Sequence, residues 1–170
     1  RSVLAYVDRD ENLQVAFLVS DHNEEVVLSA DSLSRFENNV VYEEQEKKEI
    51  RHRLDVSYNL IYNGRACLEV TEEKMIPDSG SVTLVDNNQD GSYDVVLVQS
   101  YEFMKVTAVG QINQIIYGTS DILSGGIDTG NPESFFLFFE DTRQGLSVCD
   151  FSAIATGDSL ACAVSENGLS

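Results

Sequence analysis

Oxygen-bearing side chains recur at fixed spacing within the stretch 82–98, where an acidic loop separates two apolar runs. Short oxygen-bearing side chains at alternate positions point into one concavity, which is how calcium loops arrange their ligands. Gly91, at position six of such a loop, allows the positive φ that curls the backbone around a cation. The main-chain carbonyl at position seven completes the predicted set of Ca²⁺ ligands: Asp86, Asn88, Asp90, Ser92 and Asp94.

Position twelve and the flanking runs distinguish this loop from a helix–loop–helix calcium site. Leu97 stands where that motif needs a bidentate glutamate, and the runs around Leu84 and Val96 are typical of strands. We therefore expect a strand–loop–strand hairpin that binds Ca²⁺ weakly, with a dissociation constant on the order of 10⁻⁴–10⁻³ M. The same residues also fit a turn without an ion, because Asn, Asp and Gly tolerate turn conformations.

Motifs of hydrolytic enzymes are incomplete in this chain. The tripeptide Asp128-Thr129-Gly130 occurs in aspartic proteases, but there two copies must meet so that their carboxylates share a proton. This chain has one copy in a loop context, so we interpret it as a turn. His22 and His52 lie among polar residues, are expected to be exposed, and have no suitable nucleophile or zinc-ligand cluster beside them. We therefore predict that the chain is not an enzyme, with no catalytic residues and no cofactor-binding residues beyond the metal ligands.

Charge and cysteine content limit the partners. Against 29 acidic residues the 170-residue chain has 11 basic ones, a net charge of −18, which disfavours nucleic acid and anionic membrane surfaces. No apolar run is long enough to insert into a membrane. Cys67 and Cys162 lie in apolar runs and are expected to be buried thiols. Cys149 could pair with Cys162 if their strands are neighbours, which the sequence leaves open.

Strand patterns extend through nearly the whole chain, so the predicted fold class is all-β. Asn63-Gly64 predicts a hairpin turn, and the charge run 43–49 predicts a solvated hairpin tip. Turns recur every eight to twelve residues up to about Gly110, the spacing of a small barrel or sandwich. We assign 1–110 to this barrel or sandwich-like domain and 111–170 to a second, smaller β-module whose C terminus is a candidate truncation point. The start at Arg1 suggests a piece of a longer protein.

Several segments also resemble a known class of proteins. Tyr62-Asn63-Gly64-Arg65, the stretch 80–98, Ser100-Tyr101-Glu102 and weaker matches across 146–168 resemble β-rich modules of large surface proteins from clostridia and related Gram-positive bacteria. Such proteins often carry S-layer homology domains elsewhere in the chain. Asn88 departs from the pattern, since an aspartate is frequent there. The resemblance implies a non-catalytic module of an exported, envelope-associated protein.

The sequence thus predicts a structural or interaction module of a secreted or cell-surface protein of S-layer type. The expected location is extracellular, at the cell envelope, and the expected partners are other domains of the parent chain or envelope components. The alternative is a ligand-binding module for cell-wall glycan or peptide, which aligned exposed tyrosines would favour. A hydrolase domain or hydrolase accessory domain ranks third.

Overall fold

β-Strands make up almost all the regular structure of the chain. The computed structural model describes residues 3–5, 18–20, 24–119, 126–132 and 136–164. Beside the strands it contains a four-residue α-helix and two 3₁₀ turns, so the all-β prediction is confirmed. The chain divides into two compact units between Tyr101 and Glu102. None of the helical segments in the described ranges has the length and apolarity to cross a bilayer.

Unit 1 is built around one large sheet. Its described strands are β1 (Val3–Ala5), β2 (Leu18–Ser20), β3 (Glu24–Ser29), β4 (Leu33–Glu37), β5 (Val40–Gln45), β6 (Lys48–Tyr62), β7 (Arg65–Cys67), β8 (Gly80–Asp86) and β9 (Tyr93–Ser100). β1 pairs with β2, and the other seven form a sheet in the order β3-β8-β9-β6-β5-β4, with β7 also on β6. All neighbours in it are antiparallel except β6 and β9, which run parallel.

The long strand β6 joins the two halves of this sheet. It is a single strand of 15 residues. Its first half pairs with β5, and its last four residues pair with β9. The register against β9 shifts between Leu54 and Asn59, and such an irregularity bends a strand. This bend accompanies the curling of the sheets into half-barrels.

The core of unit 1 is formed by the inward-facing residues of these strands. Val82 pairs with Val98 and Leu84 with Val96, and all four are at most 3% exposed. The buried cluster contains Leu28, Val41, Leu54, Leu60, Cys67, Met75, Val82, Leu84, Val96 and Val98. Met75 comes from the helix α1 (Glu72–Met75). Its N terminus is capped by Thr71, whose hydroxyl accepts a hydrogen bond from the Lys74 backbone N–H.

Turn chemistry explains the hairpins of unit 1. Asn63 and Gly64 both have positive φ, 45° and 81°, as the tight turn between β6 and β7 requires. The predicted Asn-Gly hairpin is therefore confirmed. Glu46 and Lys47 form the turn between β5 and β6, which places the charge run 43–49 at a hairpin tip as expected. Between β3 and β4, Asp31 lies inside the 3₁₀ turn Ala30–Ser32.

Unit 2 has a smaller sheet and a separate hairpin. Its described strands are β10 (Glu102–Gly110), β11 (Ile115–Thr119), β12 (Ile127–Asp128), β13 (Phe138–Thr142), β14 (Gly145–Cys149) and β15 (Ser159–Cys162). An antiparallel sheet has the order β12-β11-β10-β15, while β13 and β14 pair with each other. Its buried cluster contains Met104, Val106, Ile116 and Ile154.

The boundary between the units follows from a break at Tyr101. The sequence predicted a domain boundary at 110/111. The Ser79 hydroxyl instead donates to the Tyr101 carbonyl at 2.6 Å and lies 3.3 Å from the Tyr101 N–H. These side-chain bonds end β9, and the next strand, β10, pairs with β11 and β15 of unit 2.

Replacing Leu84 by alanine should lower the free energy of unfolding of unit 1 by about 2–5 kcal/mol, because it leaves a cavity in a packed core. Leu84 is 0% exposed. The matched control is Leu68→Ala, since Leu68 is 95% exposed and should change that free energy by less than about 0.5 kcal/mol. Urea denaturation followed by circular dichroism measures both, and equal losses would contradict this core assignment.

Candidate functional site

Two paired strands position the acidic loop. β8 and β9 are antiparallel and in register up to the pair Val85 and Val95. β8 ends at Asp86 and β9 begins at Tyr93, so the segment 87–92 closes a strand–loop–strand hairpin of the expected kind. The predicted ligands Asn88, Asp90 and Ser92 lie in that segment, while Asp86 and Asp94 stand at the two strand ends.

Asp86 organises the loop from a buried position. The residue is 1% exposed, and its Oδ1 accepts a hydrogen bond from the Gln89 N–H at 2.6 Å. Its Oδ2 accepts one from the Gly91 N–H at 2.9 Å. Gln89 and Gly91 both have positive φ, 61° and 86°, which turns their amides towards the carboxylate. Burying a carboxylate is costly unless it is hydrogen-bonded, and these two amides meet that requirement.

The other predicted side-chain ligands also accept hydrogen bonds from loop amides. The Asn88 Oδ1 accepts from the Asp90 N–H at 3.0 Å, and the Asp90 Oδ1 accepts from the Ser92 N–H at 2.8 Å. Across the loop, the Asp94 Oδ2 accepts from the Asn87 N–H at 2.9 Å. The Asn88 amide group also donates to the Asp90 Oδ2 at 3.1 Å. The loop is thus held by Asx-type turns that follow one another.

The oxygen atoms of the loop suit a hard cation. A carboxylate oxygen that accepts one hydrogen bond still has acceptor capacity, and Ca²⁺ prefers oxygen ligands. Leu97 lies within β9 opposite Thr83, so position twelve contributes no carboxylate. Across the described ranges, no group of three or more His, Cys, Asp or Glu side chains is arranged to hold a metal ion. Asp86, Asp90 and Asp94 therefore do not converge as such a group, and Asn88 and the Ser92 carbonyl would have to complete a set of calcium ligands.

Negative charge accumulates at this end of the sheet. Glu24 of β3 is the register partner of Asp86, and the half-buried Tyr93 lies close to both. Burial raises the pKa of Tyr93 above its ordinary value of 10.0, and the charges of Glu24 and Asp86 raise it further. The tyrosine therefore holds its proton more tightly in the folded chain.

The structure corrects the expectation that His52 is exposed. It is 8% exposed, and its Nε2 lies 3.0 Å from Glu43 Oε2, with the Tyr93 ring 6.0 Å away. His52 precedes Leu54 by two residues and therefore lies on the same inward face of β6. This strand alternation is the sequence signal that could have revealed its burial. His22 lies outside the described residues.

A second polar cluster, missed by sequence reasoning, lies on the outer face of β4, β5 and β6. Arg35 stacks on the Tyr42 ring, with its Cζ 3.7 Å from the ring centroid. Its Nη1 lies 2.7 Å from Glu49 Oε2, and Arg51 Nη2 lies 3.2 Å from the other oxygen of that carboxylate. The hydrogen bond from Arg35 is the main cause that lowers the pKa of Glu49. These exposed groups neutralise one another, and cross-strand register alone brings them together.

The protease-like tripeptide forms a turn, as interpreted from the sequence. Asp128 ends β12, and its Oδ1 accepts a hydrogen bond from the Gly130 N–H at 3.0 Å. The Thr129 hydroxyl donates to the Gln114 carbonyl at 2.7 Å. Each residue of the tripeptide thus takes part in a hydrogen bond: Asp128 and Thr129 through their side chains, and Gly130 through its N–H.

None of the three cysteines forms a disulfide bond, so Cys149 and Cys162 are not paired with each other. Cys67 is buried as predicted, and Lys74 Nζ lies 3.5 Å from its Sγ. Cys162 is half-buried, and burial raises the pKa of its thiol, with the charge of Glu102 as a second cause.

The tyrosines are mostly half-buried. Tyr58, Tyr62 and Tyr93 pack against the core of unit 1, whereas Tyr117 in unit 2 is 39% exposed. Burial raises the pKa of Tyr58. These rings therefore contribute to packing in unit 1 and do not form an open row.

Replacing Asp86 by alanine in excess EDTA should lower the free energy of unfolding by about 1–3 kcal/mol, because two loop amides lose a buried acceptor. Asp90→Ala is the matched control, since Asp90 also accepts loop hydrogen bonds but is exposed to water. The urea unfolding midpoints of the two variants measure these losses of stability. A loss for Asp90→Ala as large as that for Asp86→Ala would show that burial of the carboxylate is unimportant.

Stability should also fall at alkaline pH, partly through Tyr93. Because its pKa is raised in the folded state, its stabilising contribution is complete below 10.0 and is lost as the pH rises through the folded pKa. Tyr93→Phe should therefore reduce the loss of stability between about pH 9 and about pH 12. Urea denaturation across this range provides the measurement, and identical slopes for both proteins would contradict the effect.

Comparisons of this chain with known proteins identified no significant match. No protein-family model matches the chain. No curated protein and no solved structure matches it significantly.

Proposed function

We propose that this chain is a non-catalytic structural or interaction module of a bacterial secreted or cell-surface protein of S-layer type. In this role it works outside the cell, beside other domains of its parent chain or components of the envelope. Calcium bound by the loop of Asp86, Asn88, Asp90, Ser92 and Asp94 would stabilise the hairpin between β8 and β9.

The hydrogen bonding of the acidic loop is the observation that carries this proposal. Each of its three aspartates accepts a backbone N–H of the same loop. Carboxylates engaged in this way hold a backbone in shape, whereas a catalytic carboxylate must be free to exchange protons with a substrate. The loop is thus suited to rigidity, and its remaining acceptor capacity is suited to a cation.

Charge and fold support the same role. A net charge of −18 attracts cations and keeps a β-rich surface from self-association. Weak calcium sites at which carboxylates share one ion reduce the self-repulsion of such a surface. The resemblance to β-rich surface modules, carried by the hairpin turn at Asn63-Gly64 and by the stretch 80–98, agrees with an envelope location.

The alternative, a module that binds cell-wall glycan or peptide, has less support. Sugar-binding surfaces use open aromatic rings, and the tyrosines of unit 1 are half-buried in packing. A glycan or peptide array that captures the chain through Tyr117 would favour this alternative.

Thermal unfolding in excess EDTA and then in millimolar Ca²⁺ tests the calcium part of the proposal. Binding to the folded state alone should add about 1.4 kcal/mol of stability at a tenfold excess over the dissociation constant. The shift should vanish in Asp90→Ala. It should persist in Asp128→Ala, the control, which removes an exposed carboxylate from a different turn.

An absent shift, or one that Asp90→Ala leaves intact, would exclude this loop as the ion site. The non-catalytic part has a separate test, in which the chain is incubated with glycosidic and peptide substrates. Turnover above that of the heat-denatured chain would overturn it, whatever the calcium result.

A further inference from the structure

The hairpin β13–β14 in unit 2 presents an apolar face to solvent. Phe139 is the register partner of Val148, and Leu146 lies two residues before Val148 on the same side. Leu137 directly precedes β13 with the same alternation. We call these four residues the outer face; Leu137, Phe139, Leu146 and Val148 are 61, 53, 73 and 73% exposed.

The opposite face of the hairpin is already used. Phe138 packs against the core of unit 2, and its ring lies 6.3 Å from the ring of Phe151. Since strand alternation sends Phe138 inwards, it sends its neighbours outwards. Within the described ranges, β13 and β14 pair only with each other. A two-stranded sheet is marginally stable alone, and an apolar face without cover is uncommon in a monomer.

Carboxylates border the outer face at both ends. Asp141 is the register partner of Leu146, and Asp150 follows Val148 with the same alternation. Both are exposed. The Asp150 side chain makes no capping hydrogen bond to the 3₁₀ turn that follows it, so it is not needed for local structure. An apolar centre between two carboxylates complements an apolar segment with a cation at each end.

The net charge of the chain indicates which of two partners, a second copy of the chain or a basic segment, suits the outer face. A second copy would bring another −18 charges and the same two carboxylates to the contact, which is unfavourable. A basic segment would be attracted by that charge and would neutralise Asp141 and Asp150. Four apolar side chains cover less than the roughly 800 Å² that each partner buries in a standard interface, so the contact is of the weak, exchangeable class.

We propose that the outer face binds an extended protein segment of alternating apolar residues flanked by lysine or arginine. This inference rests on the proposed interaction function and assigns that function a surface and a class of partner. Apolar side chains of the segment cover Phe139 and Val148, while its cationic ends lie beside Asp141 and Asp150.

A labelled peptide of alternating valine and threonine with lysines at both ends is the probe, with a matched peptide that has glutamates in place of the lysines. Fluorescence anisotropy with the full chain should show at least about tenfold tighter binding of the lysine peptide. Phe139→Thr, which keeps a residue suited to strands, should weaken that binding about tenfold. Val27→Thr, at an exposed valine of unit 1, should leave it unchanged.

Non-specific attraction of a basic peptide to an acidic chain needs its own control. The double variant Asp141→Asn and Asp150→Asn should weaken binding of the lysine peptide and reduce its salt dependence. Asp31→Asn with Asp78→Asn removes the same charge from exposed positions of unit 1 and should have little effect. Because the asparagine variants leave the apolar packing intact, they decide the proposal even if Phe139→Thr unfolds the hairpin.

Three results would overturn the inference: no binding of the lysine peptide, equal effects of the two asparagine pairs, or a dimer that Phe139→Thr dissociates in sedimentation. Any of them leaves the non-catalytic role standing, because substrate turnover tests that role separately. Conversely, turnover would overturn the role without changing the peptide result.

Discussion

The pairing of β8 with β9 is the interaction on which unit 1 depends. It buries Val82, Leu84, Val96 and Val98 almost completely, so these strands contribute apolar surface and complete backbone hydrogen bonding at once. β3 pairs with β8 on one side and β6 with β9 on the other, so the pair lies between the edge strand β3 and the long strand β6. The acidic loop is a consequence of this pairing, because the chain must reverse where both strands leave the core.

Burial at the loop end gives the site its character. Asp86 stands at the last position of β8, where the core meets solvent, and its carboxylate is enclosed while Asp90 stays open to water. A buried carboxylate requires compensation, which the Gln89 and Gly91 amides provide. Burial raises the pKa of the neighbouring Tyr93, and the charges of Glu24 and Asp86 raise it further. The buried position of Asp86 therefore contributes both to the shape of the loop and to the negative charge around it.

The two units expose different surfaces. Unit 1 has a buried cluster of ten residues and presents charged groups that pair across strands, such as Arg35 with Glu49, although single apolar side chains such as Leu68 are exposed. Unit 2 has a buried cluster of four residues and leaves the outer face of its hairpin open. The exposed apolar residues of unit 2 include four that lie together on one face of a single hairpin, and the proposed peptide-binding surface rests on this grouping.

Local signals in the sequence were sufficient for the fold class, the Asn63-Gly64 turn and the hairpin that contains the loop, because each depends on residues close together in the chain. The alternative interpretation of the loop as a turn was accessible for the same reason, since an Asx turn is formed by neighbours, whereas its role as a set of calcium ligands stays a prediction. The break at Tyr101 was missed, because it depends on the Ser79 hydroxyl, which reaches Tyr101 only in the folded chain. The short helix at Glu72–Met75 was missed as well, since four residues give too little periodicity to detect.

The amino-acid sequence by itself determined the strand alternation, the turn positions, the excess of negative charge and the spacing of oxygen ligands in the loop. Tertiary structure alone decided which residues meet across the sheet: His52 with Glu43, Arg35 with Glu49, and Glu24 with Asp86. It also decided that β10 joins unit 2 and that Phe139 and Val148 remain uncovered. The physical reason is that strand pairing joins residues distant in sequence, and alternation fixes a side chain's face only after the register of the sheet is set.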